Sequence, residues 1–177
     1  TKQLEYFGTD GKLDRAMKVT LAGKIFQVDA NGYLQLANGE NAVKGNWYLY
    51  DAKTKQLKTG WQTLGKRTVY YDPTTAQMRH GEANINGHWY YLDPVDGHMH
   101  TGFTTLPYGR TVYYRDNGQM LYGELANGGY WYHFNEVTGA MSKGFTRLKD
   151  GRLVYYNGQG HMIYGWQTIN GQRYHFN

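Results

Sequence analysis

The chain has 177 residues with 24 Gly, 18 Tyr, 5 Trp, 6 Phe, one Ser and no Cys, and 19 Lys and Arg against 14 Asp and Glu give a formal net charge of +5. The lack of Cys excludes disulfides, thiolate metal sites and Cys nucleophiles, and Ser142 alone could carry a serine triad. Aromatic residues at 16% argue against disorder, while a mean hydropathy of −0.74 and short apolar groups exclude the ~20-residue apolar run of a membrane-spanning helix.

Residues 1–17 (TKQLEYFGTDGKLDRAM) carry no apolar signal-peptide core, and the start at Thr1 reads as a piece of a longer protein. They hold Tyr6-Phe7 and a turn at Asp10-Gly11 but miss the phase of residues 18–177, which predicts a degenerate N-terminal capping unit. From residue 18 the chain repeats. Gly39, Gly60, Gly81, Gly102, Gly123, Gly144 and Gly165 are each 21 residues apart, and Leu57, Met78, Met99, Met120, Met141 and Met162 share one equivalent position. Units start near 18, 39, 60, 81, 102, 123, 144 and 165, forming a single array over 18–177 whose last unit is expected to stop after one hairpin strand.

A second period overlies the first. Units at 39, 81 and 123 continue with Glu40, Glu82 and Glu124 and carry NWYLYD, HWYYLD and YWYHFN. Units at 60, 102 and 144 continue with Trp61, Phe103 and Phe145 and carry RTVYYD, RTVYYRD and RLVYYN. The repeat is therefore a 42-residue pair of alternating halves.

Each aromatic cluster reads as a strand of four or five residues, followed by a turn rich in Asp, Asn, Pro and Gly and a short second strand ending at the Met. Gly density and the lack of a 3.6-residue period disfavour helix. A lone hairpin is marginal in water, but stacked hairpins bury a continuous core, so the fold class is all-β, a solenoid of stacked hairpins. Strand alternation sorts the cluster into four columns. The second (Phe26, Tyr48, Val69, Tyr90, Val112, Tyr132, Val154, Tyr174) and the fourth (Val28, Tyr50, Tyr71, Leu92, Tyr114, Phe134, Tyr156, Phe176) are apolar or aromatic throughout and predict the core. The first (Ile25, Trp47, Thr68, Trp89, Thr111, Trp131, Leu153, Arg173) and the third (Gln27, Leu49, Tyr70, Tyr91, Tyr113, His133, Tyr155, His175) accept polar residues and predict a face that meets solvent at least in part. Three Trp at 42-residue spacing on such a face point to a binding surface.

The phrases TGWQTLGKRTVYYD, INGHWYYLDPVDGHMHTGF and YGWQTINGQRYHF resemble the choline-binding or cell-wall-binding repeats of Gram-positive bacteria and their phages, and are similar to the glucan-binding repeats of glucansucrases and the repeats of clostridial toxins. The resemblance covers residues 18–177. It implies a superhelix of hairpins, aromatic cages between consecutive hairpins, and a non-catalytic anchoring module of a peptidoglycan hydrolase such as a phage endolysin or autolysin. In the family pattern one unit supplies both the GW and the WYY Trp. Here the Glu-type units keep Trp47, Trp89 and Trp131, and the others keep Trp61, Phe103 and Phe145 but have Thr or Leu at the WYY position.

Carried over residue by residue, the resemblance implies about three cages, each completed across a unit boundary. They are Trp47 with Trp61 and Tyr70; Trp89 with Tyr91, Phe103 and Tyr113; and Trp131 with His133, Phe145 and Tyr155, floored by Met78, Met120 and Met162, with Trp166 in the last unit. Phe in place of Trp weakens a cation–π cage. A quaternary ammonium needs two or three aromatic faces and no donor beside it, whereas a sugar needs one flat platform with planar donors and acceptors at its edge. Gln62, Arg67, Asn86, His88, Arg110, Arg152, Gln167 and Gln172 are available as edge groups and favour a wall polysaccharide or teichoic acid over choline. Repeated weak sites gain avidity on a polymer.

Three copies of Glu40, Glu82 and Glu124 argue against a catalytic pair, which is one local constellation, and for a structural or ligand-edge role. His98-x-His100 lacks a fixed third ligand and reads as surface or ligand-edge rather than metal-binding. The Asp-rich turns match no calcium-loop spacing and read as Asx turns. The Lys and Arg are spread evenly, which disfavours nucleic acid. The expectation is a binding module without catalytic residues, metal or cofactor, acting at the extracellular cell wall, with a homodimer contact through the C-terminal unit as a further partner. The rival readings are a glucan-binding domain of a glucansucrase and a host-glycan-binding adhesin or toxin repeat.

Overall fold

The computed structural model describes residues 3–21 and 24–177; Thr1 and Lys2 of the expected capping unit, and Ala22 and Gly23 of the first repeat, lie outside the described residues. The strands are β1 (Met17–Leu21), β2 (Lys24–Val28), β3 (Gly39–Val43), β4 (Asn46–Asp51), β5 (Gln56–Lys58), β6 (Gly60–Leu64), β7 (Arg67–Tyr71), β8 (Gly81–Ile85), β9 (His88–Leu92), β10 (Gly102–Thr105), β11 (Thr111–Tyr114), β12 (Gly123–Asn127), β13 (Tyr130–Phe134), β14 (Gly144–Arg147), β15 (Leu153–Tyr156), β16 (Gly165–Ile169) and β17 (Gln172–Phe176), with one 3-10 turn at Pro107–Gly109. They form small separate sheets: β1–β2, β3–β4–β5, β6–β7, β8–β9, β10–β11, β12–β13, β14–β15 and β16–β17. The fold is all-β hairpin repeat, and among the described residues no helix is long and apolar enough to cross a membrane.

The hairpins are closed by different partners from those expected. The aromatic strand pairs with the strand before it, so that Trp47 faces Ala42, Trp131 faces Ala126 and Tyr70 faces Trp61. The Met segment makes only an isolated bridge to the fourth-column residue (Tyr71 to Met78, Leu92 to Met99, Tyr114 to Met120, Phe134 to Met141, Tyr156 to Met162), and β5 alone extends into a strand. Turn chemistry explains the choice. Lys44-Gly45, Asn86-Gly87, Gly128-Gly129 and Asn170-Gly171 each have two positive φ angles, the two-residue type I′ turn whose twist matches that of the flanking strands. The longer Asp-rich turns are instead held as Asx turns: the Asp72 carboxylate accepts from the N–H of Thr74 and Thr75 at 2.8 and 2.9 Å, and the Asn135 side chain accepts from Val137 and Thr138 at 3.0 and 2.9 Å. Those N–H donors hold the Asp72 carboxyl below its usual pKa.

The same pairing corrects the C-terminal end. β16 and β17 form a complete hairpin, Gly165 facing Phe176 and Ile169 facing Gln172, so the half-hairpin on which the expected dimer contact rested is not there.

Burial follows three of the four columns. Val28, Tyr71, Leu92, Tyr114, Phe134 and Tyr156 of the fourth are wholly buried, as are Val69 and Val112 of the second, while Trp47, Trp89, Trp131 and Leu153 of the first are exposed. The third departs from expectation: Leu49, Tyr70, Tyr91 and His133 are buried, and only Gln27 and His175 are open. The reason is stacking. Leu49 packs into one cluster with Val69, Tyr71 and Met78, and Tyr91 into another with Leu106, Val112, Tyr114 and Met120, so the third-column side chain of one hairpin meets the inner face of the next. Burying a Tyr or Leu in this way contributes roughly 1.5–3 kcal/mol, which no single hairpin could supply for itself.

The chain divides into two compact units, residues 1–83 with 92–99 and residues 84–91 with 100–177. The core of the first joins Val19, Leu21, Phe26, Val28, Leu34, Val43, Tyr48 and Leu57, onto which Leu4 and Tyr6 pack from the expected capping segment. The second holds the Tyr91 cluster, a cluster of Leu121, Tyr132 and Phe134, and a third of Leu148, Val154, Tyr156 and Met162.

Candidate ligand-binding site

Successive repeats are joined by one recurring hydrogen bond. The N–H of Met78 donates to the carbonyl of Trp47, Met120 to Trp89 and Met162 to Trp131, each at 2.8 Å. In the alternate halves Met99 donates to Thr68 and Met141 to Thr111 at the same distance. Five first-column residues, Trp47, Thr68, Trp89, Thr111 and Trp131, are thereby tied to the Met of the following unit. In the Glu-type halves that residue is a Trp, and the turns at Gly97 and Gly139 of later units lie against Met78 and Met120.

In the first compact unit this makes a cavity of about 230 Å³ lined by Glu40, Trp47, Arg67, Met78, Val95 and Asp96. Its polar rim is a network. Arg67 bridges Glu40 through Nη2 and the carbonyl of Asp96 through Nη1, and the Tyr71 hydroxyl donates to Glu40 Oε1 at 2.8 Å. Burial and then the Glu40 carboxylate push the Tyr71 phenol well above its usual pKa, so it remains a donor. Parts of this arrangement recur in the second unit, where Arg110 Nη1 donates to the Thr138 carbonyl at 2.6 Å. Arg152 there reaches Glu124 at 3.3 Å and Asp150 at 2.6 Å. The backbone N–H and guanidinium of Arg152 hold the Asp150 carboxyl below its ordinary range. Glu40 and Glu124 are thus ion-pair partners of the edge residues Arg67 and Arg152.

A second set of aromatic groups lies within single hairpins. Trp61 and Tyr70 are cross-strand partners with ring centroids 4.9 Å apart, as are Phe103 and Tyr113 at 5.0 Å, Phe145 and Tyr155 at 5.0 Å, and Trp166 and His175 at 4.9 Å. Phe103 also meets Tyr132 and Phe134 of the following hairpin at 4.9 and 6.1 Å, and Phe145 meets Tyr174 and Phe176 at 5.0 and 6.2 Å. The Arg173 guanidinium lies 4.4 Å from the Trp166 ring centre.

The structure therefore brings Trp47 together with Met78, Trp61 with Tyr70, Phe103 with Tyr113, and Phe145 with Tyr155. Three predicted cage residues, Tyr70, Tyr91 and His133, are buried: Tyr91 meets His100 edge-on at 4.9 Å, and His133 Nδ1 lies 2.8 Å from the Ser142 hydroxyl. Burial lowers the His133 pKa. Val95 and Asp96 of the Trp47 pocket have no counterpart among the site residues expected from sequence. The signal for Val95 was available, since Val95 and Val137 stand 42 residues apart on turn tips, both more than four-fifths exposed.

A β-hairpin repeat whose alternate units hold an outward Trp tied through its carbonyl to the Met of the next unit defines a repeat-type binding module. The choline-binding repeat profile matches residues 58–103 and 100–145, and the profile described as a putative cell wall binding repeat matches residues 165–177. The chain belongs to the choline-binding, cell-wall-binding repeat family. Among solved structures it is similar to CbpJ from Streptococcus pneumoniae TIGR4, at 26% identity and a TM-score of 0.73 over 97% of this chain and 60% of that one. It is also similar to choline-binding protein F from Streptococcus pneumoniae, determined in the presence of a peptidoglycan analogue, at 25% identity and a TM-score of 0.70 over 87% of this chain and 53% of that one. The chain thus spans between half and three-fifths of the length of these relatives. No curated protein sequence matches it.

Proposed function

We propose that this chain is a non-catalytic module that holds a larger protein on the polymer of a Gram-positive cell wall, at the extracellular surface. The observation that carries this reading is the outward Trp of each Glu-type half, Trp47, Trp89 and Trp131, each 38–45% exposed and each tied through its carbonyl to a Met of the next repeat. Exposed Trp at regular spacing costs solvation and is retained where a ligand covers it. Three such positions on one chain suit a polymer, because a second contact on the same strand forms at high effective concentration. The larger protein fits a peptidoglycan hydrolase, an endolysin or autolysin, for which wall retention raises the local substrate concentration.

The test is sedimentation of the chain with purified walls before and after hydrofluoric acid removes phosphodiester-linked polymers. Retention that survives the acid identifies peptidoglycan or neutral glycan, and loss identifies teichoic acid. Retention by dextran beads with none by walls sinks the wall reading in favour of an α-glucan module. Retention abolished by high salt points to the charged phosphodiester polymer of the wall, and retention that survives salt points to a neutral glycan.

A further inference from the structure

The Trp47 pocket meets the requirements of one of the two ligand chemistries and not the other. Its lining has a single aromatic ring, the indole of Trp47, with Met78 and Val95 as its other apolar walls. Its remaining lining residues, Glu40, Arg67 and Asp96, are planar hydrogen-bonding groups. Arg67 is held at two nitrogens, by Glu40 and by the Asp96 carbonyl, which fixes the guanidinium and leaves further N–H donors of its five. Glu40 is fixed in turn by Arg67 and the Tyr71 hydroxyl, and each carboxylate oxygen keeps room for a second donor. A quaternary ammonium has no N–H to give these acceptors. It would also share a 230 Å³ cavity with a guanidinium, against one ring instead of two or three. A pyranose supplies what the pocket lacks: a C–H face for the indole, and adjacent hydroxyls that each accept from Arg67 and donate to a carboxylate.

We infer that the Trp47 pocket is a saccharide subsite that takes one neutral pyranose ring of a polymer, with Arg67 and Glu40 reading neighbouring hydroxyls. The cavity is smaller than the roughly 300–1,000 Å³ that drug-sized ligands fill, which matches one ring and not a chain segment. The inference rests on the wall-binding reading only for where the polymer is found.

A protein carrying Trp89→Ala and Trp131→Ala keeps Trp47 as the remaining outward Trp of its column. Isothermal titration and saturation-transfer NMR of that protein with chitotetraose, isomaltotetraose and choline chloride decide the matter. The expected result is saturable binding of a tetrasaccharide, no displacement by choline, and a loss of about tenfold or more in affinity on adding Trp47→Ala. Arg67→Lys keeps the charge and removes the planar fork, and a similar loss is expected from it with an unchanged circular dichroism spectrum. Preference for chitotetraose points to wall glycan and preference for isomaltotetraose to α-glucan; both support the subsite. Choline binding that displaces the sugar, or absence of binding by both sugars in a folded protein, overturns it. If Arg67→Lys unfolds the chain, the Trp47→Ala titration alone still decides. Walls that retain the parent chain while these titrations fail leave the wall reading intact, and sugar binding without wall retention does the reverse.

Discussion

The amide of Met78 donates to the carbonyl of Trp47 at 2.8 Å, across 31 positions of sequence. One bond thus joins the outward Trp of one repeat to the Met of the next, and both line the same pocket. The Trp side chain takes no part in the bond, so it can be changed without breaking the ladder.

Trp89→Ala and Trp131→Ala are accordingly expected to change stability by no more than about 0.5 kcal/mol each, as for surface substitutions. Thermal melts followed by circular dichroism check this. Retention on purified walls should fall with each change and fall disproportionately when both are combined, because avidity depends on several sites together. Unfolding by either single change would show that the first column is structural.

Phe103→Ala should behave oppositely. Phe103 is as exposed as the Trp residues, at 43%, yet its ring meets Tyr113, Tyr132 and Phe134. Each aromatic pair contributes about 0.5–1.5 kcal/mol beyond area burial, so a loss of roughly 2 kcal/mol is expected in urea denaturation, with Phe103→Leu recovering part of it.

Gly139→Ala tests the contact between repeats. Gly139 has φ +67°, and a Cβ built there falls 2.3 Å from Sδ of Met120. The backbone penalty alone is about 1–2 kcal/mol. Adding Met120→Ala should relieve the steric part and leave the φ part, so the double variant is expected to be less destabilised than the sum of the singles.

Acid should weaken the fold through His133. Burial depresses its pKa in the folded state below the ordinary 6.5, so the unfolded chain binds a proton more readily. Stability from this residue is complete at pH above 6.5 and declines as pH falls below it. His133→Gln, which keeps a partner for the Ser142 hydroxyl, should flatten the melting temperature between pH 7 and pH 5, a range chosen about the ordinary His value. An unchanged pH profile in that variant removes His133 as the cause.

Much of the architecture was legible because a repeat writes each position many times over. The 21-residue phase of Gly39 to Gly165 marks the strand starts, and the fourth column from Val28 to Tyr156 is buried as strand alternation requires. Hairpin partners were harder to read. Asn86-Gly87 and Asn170-Gly171 close hairpins, but Asn-Gly also stands at Asn31-Gly32, Asn117-Gly118 and Asn157-Gly158, so the dipeptide alone does not say which flanking strands pair. Periodicity also could not show that Tyr91 and His133 lie under a neighbouring hairpin, since alternation describes one strand and not what stacks on it. In the site, Trp47 and Met78 were visible from spacing, whereas Asp96 enters through a turn 49 residues from Trp47 and has no periodic signal of its own.

The lining of the Trp47 pocket also determines how such a chain can lengthen. A pocket of the Trp47 kind draws on a Glu-type half for Glu40 and Trp47, on its alternate for Arg67 and Met78, and on the turn of the next Glu-type half for Val95 and Asp96. Gain or loss of 21 residues would set two like halves side by side and spoil the pocket at the seam. Gain or loss of 42 adds or removes a whole pocket and leaves the others untouched. The unit of inheritance is therefore the pair, and affinity for a surface can be tuned in whole steps by copying it.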